Sequence, residues 1–170
     1  GAAGGVLTNI ISSDVTAGVA GFDTHINAYG NGAGLSVHDD QLASSPDLMD
    51  ITQVSDAVLE GAAFGSRTVK GLSVQATGIQ QIGALTAVAG GGASGAAGAA
   101  VNVDQIGGNT RAYIDSARFV NDGTGGSANQ TVDVMAANHA MVASSTAAVA
   151  IGGTGGVSGA IGTESIERTT

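Results

Sequence analysis

One stretch of this chain repeats at a fixed distance, and that feature constrains the fold more than any single residue. Leu72, Val74, Ala76, Thr86, Gly92, Gly95, Ala100, Val101, Ile106 and Thr110 fall on Val132, Val134, Ala136, Thr146, Gly152, Gly155, Ala160, Ile161, Ile166 and Thr170 when the sequence is slid along itself by a shift of 132 − 72 = 60. A shift of 61 aligns Ala87-Val88-Ala89 with Ala148-Val149-Ala150, so the unit tolerates one-residue slips. Repeats of this size mark stacked units that bury one continuous core between neighbours. The only two tyrosines each follow alanine, in Asn27-Ala28-Tyr29 and Arg111-Ala112-Tyr113, and Ile166-Glu167-Arg168-Thr169-Thr170 stops where the same dipeptide would come next. The tyrosines differ in sequence number by 113 − 29 = 84, and residues 42–66 interrupt the pattern where the excess over 60 falls. That segment reads as an insertion or an extra coil.

The side chains available suit a thin interior. Hydrophobic residues make up 43% of the 170, which argues against disorder, but aromatics are only 3% and there are 29 glycines. Burial stabilises at about 25 cal/mol per Å² of apolar surface, and this small supply of large side chains cannot build a thick core. A narrow space filled by Ala, Val, Ile and Gly, with backbone hydrogen bonds running from layer to layer, uses the supply better. A single proline leaves long stretches free to join strand ladders.

Local patterning agrees. Leu72-Ser73-Val74-Gln75-Ala76, Ala99-Ala100-Val101-Asn102-Val103-Asp104 and Thr131-Val132-Asp133-Val134-Met135-Ala136 alternate apolar with polar, the period of a strand. Ala84-Leu85-Thr86-Ala87-Val88-Ala89 and Thr146-Ala147-Ala148-Val149-Ala150-Ile151 are more continuously apolar, as doubly covered strands are. Gly30-Asn31-Gly32, Gly107-Gly108-Asn109, Asn121-Asp122-Gly123 and Gly152-Gly153-Thr154-Gly155-Gly156 punctuate them as turns. Irregular Gly90-Gly91-Gly92-Ala93-Ser94-Gly95 excludes a collagen period. Within the insertion two readings stay open. Ser45-Pro46-Asp47 starts a helix carrying Leu48, Ile51, Val54 and Val58 and stopping at Gly61, or Ile51-Thr52-Gln53-Val54 and Ala57-Val58-Leu59 form a strand pair.

Charge narrows the partners. Five Lys and Arg against 14 Asp and Glu leave a net charge of −9, without the basic stripe that phosphate backbones or anionic membranes require. No apolar run reaches the roughly 18 residues of a membrane span. Gly1-Ala2-Ala3-Gly4-Gly5 has neither the basic start nor the apolar core of a signal peptide. The absence of cysteine removes disulfides and thiolate metal sites, and fits an exported repeat protein. Both termini fall in mid-pattern, so the expectation is a piece of a longer chain or a subunit completed by head-to-tail copies of itself.

Lys70-Gly71-Leu72-Ser73-Val74-Gln75-Ala76-Thr77, the run Gly90 to Val103 and Asn109-Thr110-Arg111-Ala112-Tyr113-Ile114-Asp115 together resemble the repeat of very large bacterial filamentous adhesins of the leukotoxin and filamentous-haemagglutinin type. The likeness covers residues 70–170 well and residues 1–37 more loosely, and residues 42–66 depart from it. It implies export to the bacterial outer surface and a right-handed parallel β-helix. It supplies no catalytic residue, cofactor site or metal site.

The residues themselves give few candidates. His25, His38 and His139 are too distant in sequence for a local metal motif, and His38-Asp39-Asp40 is the only compact polar cluster; a metal there would need ligands from neighbouring coils, whereas a solvated strand end needs none. Asp122 lacks the glycine-rich nonapeptide of calcium-binding β-rolls and reads as turn chemistry. Asn129-Gln130-Thr131 has the form of a glycosylation sequon. Asp39 with Asp40, or Glu164 with Glu167, has the composition of a glycosidase acid and base, but few basic or aromatic side chains are present to hold a sugar. Residues 90–98 lack the Gly-Lys-Ser/Thr ending of a phosphate loop. Tyr29 and Tyr113 read as rings packed at one recurring corner, with a sugar platform as the alternative.

The overall expectation is an all-β solenoid over residues 1–170, built from 60-residue repeats of about three coils each, roughly 40 Å long. Its function is structural, as a stalk or fibre segment. Direct binding of a host surface or glycan, through strand faces or the insertion, is the alternative. A polysaccharide-acting enzyme is the third reading.

Overall fold

A computed structural model of the chain describes residues 1–44, 62–115, 119–120 and 125–170. Strands and their connections account for all of these, with no helix among them. Strands β1 (Ala2–Ser12), β2 (Val15–Ala20) and β3 (His25–Ile26) are followed by β4 (Leu35–Ser44) and β5 (Ala63–Val69), then β6 (Gly71–Gly92), β7 (Ala96–Asp115), β8 (Phe119–Val120), β9 (Thr131–Gly152) and β10 (Gly156–Thr169). β4 and β5 form an antiparallel hairpin, and every other pairing is parallel.

The register carries the sequence repeat into space. β6 pairs with β9 from Gly71↔Thr131 to Gly92↔Gly152, and β7 pairs with β10 from Ala96↔Gly156 to Asn109↔Thr169. Hydrogen-bonded neighbours therefore differ by 131 − 71 = 60 in sequence number, the shift read from the sequence. One repeat advances the stack by one strand, not by three coils. A 22-residue strand spans about 73 Å and three layers rise only about 10–14 Å, so the structure is wide and shallow where a 40 Å rod was expected.

On the other side of β7 the offset grows. β1 pairs with it at Ala2↔Ala97 and β2 at Val15↔Thr110, an offset of 95, and the extra 95 − 60 = 35 matches the length of the Leu35–Val69 excursion. The interruption is thus the whole β4–β5 hairpin, which brackets residues 42–66. The helix and the strand pair considered for residues 45–61 lie outside the described residues, as does the turn at Asp122.

The same register corrects the tyrosine alignment. Tyr113 stands opposite Gly18, not Tyr29. Its ring lies on the glycine, where a Cβ would come within 2.3 Å of Cζ. Tyr29 instead follows β3, and its carbonyl accepts the Ser127 N–H at 2.8 Å. A two-residue likeness carried that alignment, and ladder geometry overrides it.

The β1–β7–β10 sheet, extended by β2, packs against the β6–β9 sheet, and among the described residues the two remain separate sheets rather than a closed tube. Each crossing between them is tight. β6 turns into β7 through residues 93–95, and β9 into β10 through residues 153–155. The Gly90–Gly98 run permits this approach: a Cβ at Gly90 would meet the Ala97 carbonyl oxygen at 2.3 Å, and one at Gly98 the Val149 carbonyl oxygen at 2.8 Å. Gly107-Gly108-Asn109 is no reversal but a kink inside β7. There Gly108 adopts φ +144°, and a Cβ would strike the Ser13 carbonyl at 2.0 Å.

The interior is thin, as expected, but not purely apolar. Ile82, Ala84 and Ile106 form its centre, with Leu7, Ile11, Ala140 and Val142 against them. Gln80, Thr86, Asn102, Asp104, Thr110 and Asn138 are buried as well. In β7 the alternation has the expected period and the opposite phase to a simple apolar-in reading: Asn102 and Asp104 are fully buried while Val101 and Val103 lie on the other face. Val74 and Val134 are register partners on the same inward face, as expected. Val74 is buried, whereas Val134 is 44% exposed. There β9 runs beyond Asn138, whose carbonyl already accepts from Arg168 near the end of β10.

Candidate functional site at the hairpin

The hairpin lies on the outer face of the β6–β9 sheet, held by residues that alternate outward along those strands. The Arg67 guanidinium pairs with Oδ1 of Asp133. Oδ2 of that carboxylate accepts from the Ser73 hydroxyl at 2.9 Å and from Gln75 Nε2 at 3.0 Å. Partial burial pushes the Asp133 pKa up, but the hydrogen bonds from Ser73, Gln75 and Arg67, with the Arg67 charge, outweigh it and hold the carboxyl below its usual range. Arg67 is half exposed, so the ion pair itself contributes at most about 1 kcal/mol.

Gln75 acts on the hairpin as a strand neighbour does. Its Oε1 accepts the His38 N–H at 3.1 Å and its Nε2 donates to the His38 carbonyl at 2.9 Å, so both backbone groups of one edge residue are satisfied by one side-chain amide. Beyond it the Phe64 ring sits between His38 and His139, with centroids 5.6 and 5.3 Å apart and tilts of 48° and 59°. These are ordinary edge-tilted contacts. His139 Nε2 lies 3.0 Å from the Asp40 carbonyl oxygen, which accepts from it in the Nε2–H tautomer.

Two of the three histidines therefore meet through Phe64, although they lie far apart in the sequence. His25 lies apart on β3, opposite Phe119. Among the described residues no three His, Asp or Glu side chains converge to hold a metal ion. The paired carboxylates do not share a space either. Asp39 packs over Gly65 and accepts the Gln41 N–H at 3.0 Å, while the adjacent Asp40 is exposed. Glu164 accepts from Ser144 on the inward face, and Glu167, three residues on, lies on the opposite face of β10. Asn129 is exposed in the turn before β9, its N–H bonded to Ser127 Oγ at 3.1 Å.

Sequence reasoning missed the buried polar row. Asn9, Asp104 and Glu164 occupy equivalent places on three adjacent strands. Both oxygens of the fully buried Asp104 are satisfied, Oδ1 by Asn9 Nδ2 at 2.8 Å and Oδ2 by Asn102 Nδ2 at 2.6 Å. Such bonds are what make a buried carboxylate tolerable. The signal was present in the match of Asp104 with Glu164 under the repeat shift, but nothing local showed which face they take. Arg111 was also missed. Its guanidinium lies 4.6 Å from the centroid of the Tyr113 ring, and with Gly18 beneath, that ring is structurally engaged.

No protein-family model, curated protein or solved structure matches this chain.

Proposed function

We propose that this chain is a length of right-handed parallel β-solenoid from an exported bacterial adhesin or extracellular filament, and that its role is mechanical. The observation that carries this reading is the coincidence of the sequence shift with the spacing of hydrogen-bonded strands, which is 60 in both. A unit whose sequence period equals its stacking period extends by adding repeats, and its backbone bonds transmit load from layer to layer. The acidic surface and lack of cysteine suit a solvated extracellular setting. Each segment spaces a distal binding region from the cell and presents the same outer faces again and again.

A second reading, direct binding of a surface or glycan, draws on the hairpin, an excursion from the stack that carries His38 and Asp40 at exposed positions. A polysaccharide-acting enzyme finds less support, because neither candidate carboxylate pair faces a common space.

Nitroxide labels at Ala87 and Ala147, exposed register partners, test the stacking. About 5 Å of separation should give strongly coupled spectra, and uncoupled labels would overturn it. The role is tested by placing one, two or three copies between a surface anchor and a terminal epitope on bacteria. The epitope should move outward by about 14 Å per copy, at about 4.8 Å per layer. If reach stays constant and removing the hairpin abolishes attachment to cells or glycans, the second reading replaces the first.

A further inference from the structure

We propose that the outer face of the β1–β7–β10 sheet is a self-association surface, on which a second copy of this chain lays the same face. The inference goes beyond the mechanical reading, which rests on strand stacking and needs no lateral contact between chains.

The side chains that point outward from this sheet are apolar or small. Val6, Val101 and Ile161 form one cross-strand row, and Thr8, Val103 and Thr163 form the next. Val6 is 76% exposed, Ile10 66%, Val157 76% and Ile161 62%. No outward position in residues 2–10, 97–105 or 157–165 carries a charge; the two acids of these stretches, Asp104 and Glu164, turn inward. A sheet with one wet face places its apolar residues inside and its polar ones outside. β7 does the reverse. A slip of one residue would bury Val101 and Val103 and return Asn102 and Asp104 to water, yet the chain keeps a fully buried carboxylate and leaves the valines outside. That phase suits a sheet covered on both faces.

Charge and area select the occupant. The chain has a net charge of −9, and two copies meeting through their hairpins would bring Asp39 and Asp40 of each together. Two copies meeting through this uncharged face bring no like charges into contact. Three strands about 4.8 Å apart and 11 residues long, at about 3.3 Å each, make a face of about 14 by 36 Å, roughly 500 Å². Apolar patches of that size mark interaction surfaces. Two such faces bury about 1,000 Å² in total, the lower bound for a specific pair, so the dimer is weak and reversible. The uncovered part of the opposite sheet, around Val149 and Ile151, is only two strands wide and falls short of that bound. Contact between identical faces about a two-fold axis closes at two copies.

Sedimentation of the full chain at rising concentration should show monomers passing to dimers with a Kd between about 10 µM and about 1 mM. Raising NaCl from about 0.05 to about 0.5 M should strengthen the dimer severalfold, because salt screens the repulsion between acidic copies and leaves an uncharged contact intact. Ile161→Glu should weaken dimerisation at least tenfold by placing carboxylates in the contact, and Val6→Glu serves equally if that variant does not fold. Val149→Glu, on the other sheet, should leave the dimer intact. A chain that stays monomeric at the highest concentration, dimers weakened by salt, or dimers lost in Val149→Glu would each overturn the proposal. So would association that survives both Ile161→Glu and Val6→Glu, as head-to-tail stacking through strand edges would. Adsorption of a persistent monomer to an alkyl-coated surface would overturn it too, with a hydrophobic surface as the occupant instead of a second copy. Coupling of the Ala87 and Ala147 labels reads the stacking within one chain, so failure of one test does not imply failure of the other.

Discussion

Replacing Ile106 with alanine should cost far more than the same change at Ile166, although both stand in one row with Ile11 across the β1–β7–β10 sheet. Ile106 is 0% exposed in the middle layer and Ile166 is 46% exposed in the outer one. Ile→Ala removes three carbons, about 2.4 kcal/mol of transfer free energy at about 0.8 kcal/mol each. Around Ile106 a cavity adds to this, because Ile82, Ala84, Leu7 and Ile11 sit on strands tied into ladders and collapse poorly. The total is about 3–4 kcal/mol, within the range for buried isoleucine. At Ile166 no closed cavity forms and roughly half the surface is already wet, so about 1 kcal/mol is expected. Urea unfolding followed by circular dichroism measures both; with a slope of about 2 kcal/mol per M, the midpoints should fall by about 1.5–2 M and about 0.5 M. Equal losses would refute the layer order, since they would mean that Ile166 is as enclosed as Ile106.

Gly18→Val should destabilise by about 2–3 kcal/mol through collision with the Tyr113 ring, and Tyr113→Ala should recover much of the loss in a double-mutant cycle; additive effects would show that ring and glycine do not touch. Because the Asp133 pKa is lowered in the folded state, its contribution is complete above the ordinary carboxylate value of about 4 and disappears as pH falls through the lower folded value. The stability gap between the native chain and Asp133→Asn should therefore shrink below about pH 4, and a gap constant from about pH 6 to about 2.5 would refute this. Joining Gly34 to Lys70 with a short Gly-Ser linker in place of the hairpin should preserve the β6–β9 pairing, since Gly34 already lies within 3.4 Å of the Lys70 side chain at the Cβ position. The uncovered face around Met135 and Ala137 should then bind a hydrophobic dye more strongly. Loss of folding would make the hairpin part of the core.

The sequence by itself determined the strand period and the shift of 60, but not that one repeat makes a single layer rather than three coils. Alternation of period two is a local property of extended chain, and a repeat of 60 puts Val74 and Val134, and Ile106 and Ile166, at equivalent places, while the ladder makes them direct neighbours. Glycine-rich runs marked the crossings because only they permit backbones so close. The phase of the alternation was decided by tertiary structure. Asn102 and Asp104 turn inward only because Asn9, distant from Asp104 in the chain, supplies the donor that a buried carboxylate needs, and Val101 and Val103 turn outward as a consequence. The larger offset between β1 and β7 was likewise invisible locally, since it depends on where the chain leaves the stack for the hairpin and rejoins it. The hairpin's seat is of the same kind: Gln75 satisfies His38, and Arg67 meets Asp133, across long separations in sequence. Pair interactions of that range depend on coordinates in three dimensions, and no window along the chain contains them.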